Sequence, residues 1–355
     1  MTNLQQKTDH KESERKTRGT TDAADVVPAP PAGFDVMTAS DDELIRYGYF
    51  PRPDEKLPQL RALWEKMVRR NFRLVSSIPP SIDIKETKSL QAQHRQVFER
   101  SKSTAYANAW CGATITPTGQ VPQVYYYMSG QWTVPSPLGF DAGPASANTG
   151  FFSISAWMRL QSSTNPNQGV AVGTSIGFYM VDGVVQPGGQ VAWPWYEYGG
   201  DIGYNFIENN PYSSPDDPWY IGPGDTISAV IYSPSGNFNS AILQFFDITS
   251  GLKSPVIQLS GQPFEANTAQ WVLGFLPSAV NDQYLGPVSG NTIFDNVYAY
   301  SGAAGGSLAT TTQQNLNSSS TATVTFVDMD NSAGWPAVSE ELNATSFKIV
   351  TCTIM

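Results

Sequence analysis

The residues able to do chemistry in this chain are few, and their types narrow the choice at once. Its two histidines, His10 and His94, both precede the stretch from about Ala107 onward, where the apolar pattern turns to period two. Within that stretch no Ser-His or Cys-His nucleophile pair can be assembled, nor a histidine-centred zinc site. No Gly-rich loop carries the lysine that cradles a phosphate. No metal or other cofactor is therefore expected. Carboxylate, amide and tyrosine chemistry remains. A carboxylate can take and return a proton, and an amide can position a water and donate to a developing oxyanion.

The elements that would position such groups fall into two parts. Residues 1–34 read as a disordered tail, charged and rich in Thr and Pro. Residues 35–106 read as a helical extension. A short helix is expected after Ser40, which forms a capping box with Glu43, and Gly48 stops it. A second is expected over 58–72, with Leu60, Leu63, Trp64, Met67 and Val68 on one face and Arg61, Lys66, Arg69 and Arg70 turned away. A weaker third spans 89–100. The apolar face of the second should dock on the strand-rich region beyond it.

From 107 to 355 the pattern is one of short strands and turns. Val121 to Met128 reads as a strand, Ser129-Gly130 as a turn, and Asp182-Gly183 as a tight hairpin. Residues 301–320, rich in Gly, Ala, Thr, Ser and Asn, read as a long loop. Ten or so strands with no helix between them imply an all-β, two-sheet antiparallel β-sandwich of the concanavalin-like or jelly-roll type. Cys111 and Cys352, near the two ends of this region, can pair if those strands are neighbours; free buried thiols are the simpler reading.

Charge is split between the parts. Residues 1–107 hold 18 of the 21 Lys and Arg against 15 of the 31 Asp and Glu, whereas the sandwich region keeps only Arg159, Lys253 and Lys348. A region so poor in cations is a bad partner for nucleic acid. It should tolerate acid, because protonation removes self-repulsion and few cations remain. No apolar run is long enough for a membrane helix, and the start lacks a signal-peptide h-region. Cytoplasmic residence is the default expectation, with non-classical export left open, as is self-association.

Six segments, in order, resemble the glutamic peptidases (eqolisins): Ala109-Trp110-Cys111-Gly112-Ala113, Gln131-Trp132-Thr133-Val134-Pro135, Ile154-Ser155-Ala156-Trp157, Trp195-Tyr196-Glu197-Tyr198, Pro223-Gly224-Asp225-Thr226-Ile227 and Ala269-Gln270-Trp271-Val272. An upstream segment from Tyr47 to Asp54 resembles one preceding the domain in some relatives. The resemblance implies a sandwich whose catalytic dyad is a glutamate general base and a glutamine that holds the water and the oxyanion. On this pattern the glutamate position is Gln270, and the glutamine position, counted on from Trp157, is Ala171. Both are substituted, which implies a pseudoenzyme.

Replacements can be named. Gln168 becomes the amide partner if the alignment shifts by three residues. Glu265 is a displaced base or a solvated surface carboxylate. Glu197 is a cleft carboxylate or a buried one hydrogen-bonded to tyrosine or backbone. The resemblance also places Trp132, Trp157, Trp195, Tyr196, Glu197 and Trp271 around the cleft. The aromatic run from Trp193 to Tyr220 suits core, or a groove for a peptide or a carbohydrate. Three readings remain: an inactive glutamic-peptidase-like protein serving in binding or structure, an acid endopeptidase with a relocated dyad, and a lectin-like carbohydrate-binding module.

Overall fold

The computed structural model describes residues 27–70, 72–74, 105–107, 110–119, 122–137, 150–164, 168–182, 184–198, 221–233, 240–261, 266–274, 288–289, 291–318, 320–329 and 337–351. Two helices precede the sheets: α1, Asp41–Arg46, and α2, Pro58–Arg69. The capping box of Ser40 and Glu43 forms as the spacing requires, and Gly48 takes φ +73° just beyond α1. Pro58 opens α2 where its missing N–H costs nothing. The third expected helix, Glu265, Cys352 and the aromatics from Tyr204 to Tyr220 lie outside the described residues.

Thirteen strands of four residues or more follow among the described residues: β1 Trp110–Pro117, β2 Gln123–Thr133, β3 Gly150–Gln161, β4 Gly169–Val181, β5 Val184–Tyr198, β6 Thr226–Tyr232 and β7 Ser240–Asp247, then β8 Ile257–Ser260, β9 Thr268–Gly274, β10 Asn291–Ala303, β11 Ala322–Met329, β12 Ala337–Asn343 and β13 Ser346–Thr351. One sheet runs β11-β1-β9-β3-β4-β5 and the other β13-β10-β2-β6-β7-β8, with every one of these neighbours antiparallel. β12 pairs with both β11 and β13 and joins the sheets into one ladder. The protein is an antiparallel β-sandwich.

The core lies between the sheets. Trp271 of β9 reaches across it, its indole N–H donating to the Ser129 carbonyl of β2 at 3.0 Å. Trp132 of β2 crosses the other way to the Thr174 hydroxyl of β4 at 2.9 Å. These two bonds satisfy the polar edges of rings that are otherwise fully buried.

Two sequence expectations are corrected here. Ser129-Gly130 is no turn, because β2 runs unbroken through it. Gly130 lacks a side chain for another reason: a Cβ there would stand 2.7 Å from the Trp271 indole nitrogen. Residues 301–320 are no long loop either. β10 continues to Ala303, and Thr312–Gln314 pairs back onto it. Gln314 is buried and accepts from the Tyr125 hydroxyl at 2.5 Å, which fixes a segment whose composition reads as unstructured.

The helical extension packs on the outer face of the second sheet. Leu44, Phe50, Leu60 and Trp64 meet Tyr127, Val230 and Phe246 in a cluster separate from the main core. The Trp64 indole donates to the Phe50 carbonyl at 2.8 Å, and Gln244 of β7 donates to the Gly48 carbonyl at 3.0 Å. Arg73–Leu74 then adds a short parallel pairing with Leu252–Lys253.

Candidate functional site

Register places the sequence-derived positions on one transverse line. Gln270 of β9 stands opposite Thr114 of β1 on one side and Arg159 of β3 on the other. Arg159 stands opposite Ala171 of β4, and Ala171 opposite Glu197 of β5. Directly opposed residues share a face. The row Thr114, Gln270, Arg159, Ala171, Glu197 therefore lies on the face turned away from Trp271, the outer face of the first sheet. Two residues along runs a second row of Gly112, Val272, Trp157, Gly173 and Trp195.

Gln270 and Ala171 thus share a sheet and a face, with β3 between them. Their backbones are two strand intervals apart, about 10 Å. Between them Arg159 reaches over the Ala171 methyl group and pairs with Glu197, its guanidinium Nη2 donating to Oε1 at 2.8 Å. Both side chains are 12% exposed. Only a small residue at 171 leaves that path open. The Gln270 amide leans toward the Thr114 hydroxyl at 3.5 Å, too long for a strong bond. Burial lifts the Glu197 carboxyl above the usual range, and the Arg159 charge pulls it back down.

Gln168 sits just before β4, at the rim beside the Gln161–Gly169 pair, where its carbonyl accepts from the Ser162 amide. It is three residues, about 10 Å, along the chain from the Ala171 row. The structure does not bring it to Gln270. The aromatic candidates divide. Trp157 and Trp195 are on the outer face, their ring centroids 6.1 Å apart above Gly173. A Cβ at Gly173 would meet the Trp157 Cβ at 2.5 Å and the Trp195 ring at 2.8 Å. These rings are only 8% and 1% exposed, covered rather than presented. Trp132 and Trp271 belong to the inter-sheet core, which corrects their placement around a cleft. Tyr196 is corrected likewise: it stands opposite Val172, on the core-facing side of β5.

Arg159 is the residue the sequence reading passed over, counted there only as one of three cations. A signal existed. Arg159 follows Trp157 by two and so shares its face, and an arginine in mid-strand of an acidic sandwich requires a carboxylate partner. Among the described residues no group of three or more His, Cys, Asp or Glu side chains could hold a metal ion.

No family model and no curated protein matches the chain. Among solved structures it is similar to scytalido-glutamic peptidase with a peptide-based transition state analog, at 15% identity and a TM-score of 0.44, over 69% of this chain and 98% of that one. It is similar also to SCP-B, a member of the eqolisin family of peptidases in a complex with the tripeptide Ala-Ile-His, at 14% identity and a TM-score of 0.41, over 69% and 98%. Aspergilloglutamic peptidase from Aspergillus niger gives 17%, 0.39, and 57% and 99%.

Proposed function

We propose that the protein is a glutamic-peptidase-like sandwich that has lost hydrolysis and serves in binding or structure. The observation that carries this reading is the Arg159–Glu197 ion pair laid across Ala171, in the same row as Gln270. In the pattern the sequence resembles, positions 270 and 171 would hold the base and the amide. Here they hold an amide and a methyl group, and the Arg159 guanidinium crosses that methyl group to reach Glu197.

A neutral amide cannot take a proton from water, and a methyl group donates nothing. Losing the base costs about 10²–10⁴ in rate, and losing one oxyanion donor about 10²–10³. Glu197, the one carboxylate of the row, stands three strand intervals from Gln270, about 14 Å between backbones, and is held by Arg159. Gln168, the amide partner of a relocated dyad, sits before β4, three residues along the chain from the position opposite Glu197, which disfavours that reading.

The test is an assay of the full chain on an unfolded protein substrate between about pH 2 and 5, where a carboxylate base would work. No cleavage is expected. The double substitution Ala171→Gln with Gln270→Glu should stay silent too, because the Arg159 side chain still occupies the space over position 171. Pepstatin-insensitive cleavage by the unsubstituted chain, lost in Glu197→Ala or Glu265→Ala, would overturn the reading.

A further inference from the structure

The sandwich region holds three cations, and one of them is buried where, among the described residues, no carboxylate pairs with it. Lys253 is 6% exposed. Its ammonium lies 3.5 Å from the centroid of the Tyr49 ring, a cation–π contact. Among the described residues it makes no ion pair. Buried ammonium groups are ordinarily paired, since an isolated one loses its hydration without compensation. Here burial alone drives the amine down to about 8.

This side chain lines a pocket between α2 and the outer face of the second sheet, on the far side of the sandwich from the Gln270 row. Leu63 and Met67 of α2 form one wall and Val230 and Phe246 the other. Lys66 and Arg70 stand at its exposed rim, and no Asp or Glu is among the lining residues. Two of these three cations come from the basic extension and one from the acidic sandwich, and with no acid among the lining residues the hollow is positive. The cavity measures about 60 Å³. A water needs roughly 10–15 Å³ on this measure, so the space suits a ligand of about four to six non-hydrogen atoms.

We propose that this pocket binds a short-chain organic carboxylate, its carboxyl group paired with Lys253 and its hydrocarbon end between Met67 and Phe246. Charge complementarity selects an anion, and the apolar walls select one with an alkyl end over phosphate or sulfate. A four-carbon acid matches the volume.

The probe is butyrate, added to the full chain carrying ¹³C-methyl methionine, with 1-butanol and chloride as controls. Butyrate at about 10 mM should shift the Met67 methyl resonance and raise the melting temperature by roughly 3 °C, for a millimolar dissociation constant. Butanol and chloride should do neither, and Lys253→Met should weaken butyrate binding at least tenfold. No Met67 shift with butyrate, an equal response to butanol or chloride, or full binding by Lys253→Met would each overturn the proposal. The methyl titration on the unsubstituted chain decides the matter even if the variant fails to fold.

Discussion

Ala171 shows how a single small residue reorganises its neighbours. A methyl group in the middle of a transverse row lets Arg159 on one flanking strand reach Glu197 on the other. The pair holds three strands side to side, and each charge is tolerated because the other is there. Glu197→Gln should therefore destabilise the protein by about 3–5 kcal/mol, since it leaves the guanidinium buried and uncompensated. Replacing both, Arg159→Met with Glu197→Leu, should recover most of that loss. Urea unfolding of the three proteins checks this, and a double variant no better than Glu197→Gln alone would contradict it.

At the scale of elements, α2 is held by two buried side chains, Leu60 and Trp64, and by the ring of Phe72 beyond its end, 5.3 Å from Phe246. Trp64→Ala removes the largest of these and should cost about 3–5 kcal/mol of docking. The expected readout is proteolytic cleavage near residues 50–72 well below the global melt, with the β-sheet circular dichroism signal unchanged. Equal protease resistance in variant and parent would mean the extension is only tethered. The helix was legible because its five apolar residues recur at helical spacing, and α1 because Ser40 and Glu43 form a reciprocal cap. The strands were legible as period two with turns between them. What misled was glycine: at 130 it marks where the Trp271 ring passes, an effect of a partner 141 residues away that no local pattern records. Nor does β9 advertise which face does what. All seven of its residues are buried, so Gln270 and Trp271 look alike in exposure although one faces the row and the other the core. Motif order brought Gln270 and Ala171 to one face. It carried no trace of Arg159 between them, because a long side chain reaching over a neighbouring strand leaves no periodic signal.

For the whole molecule, the formal charge of −10 hides a basic start and a strongly acidic sandwich. Lys253 is an exception to that acidity, and its depressed amine sets a pH dependence. Below about pH 8 the amine is charged in both folded and unfolded chains, and its burial cost is complete. Between about 8 and 10.5 the folded chain sheds the proton first, so stability rises through that window. The full span corresponds to about 3 kcal/mol. Chemical denaturation from pH 7.5 to 9.5 should show the parent gaining stability relative to Lys253→Met. Parallel curves would show that the ammonium is better solvated than its burial implies. Taking the difference between the two proteins cancels the buried tyrosines, whose hydroxyls burial pushes up and which begin to ionise only in the unfolded chain toward the top of this range.

The pairing order also sets a clock. β1 is flanked by β9 and β11, so it gains neither neighbour until about 150 further residues have been made. At 5–20 residues per second on a ribosome that is roughly 8–30 s. During that wait Cys111, Ala113 and Ile115, destined for the core, form an unpaired apolar edge on the nascent chain. Thr114 and Thr116 on its other face are the only interruption to its stickiness. A chain built this way folds late, after synthesis of its last third, and its yield in a cell depends on what shields residues 110–117 in the meantime.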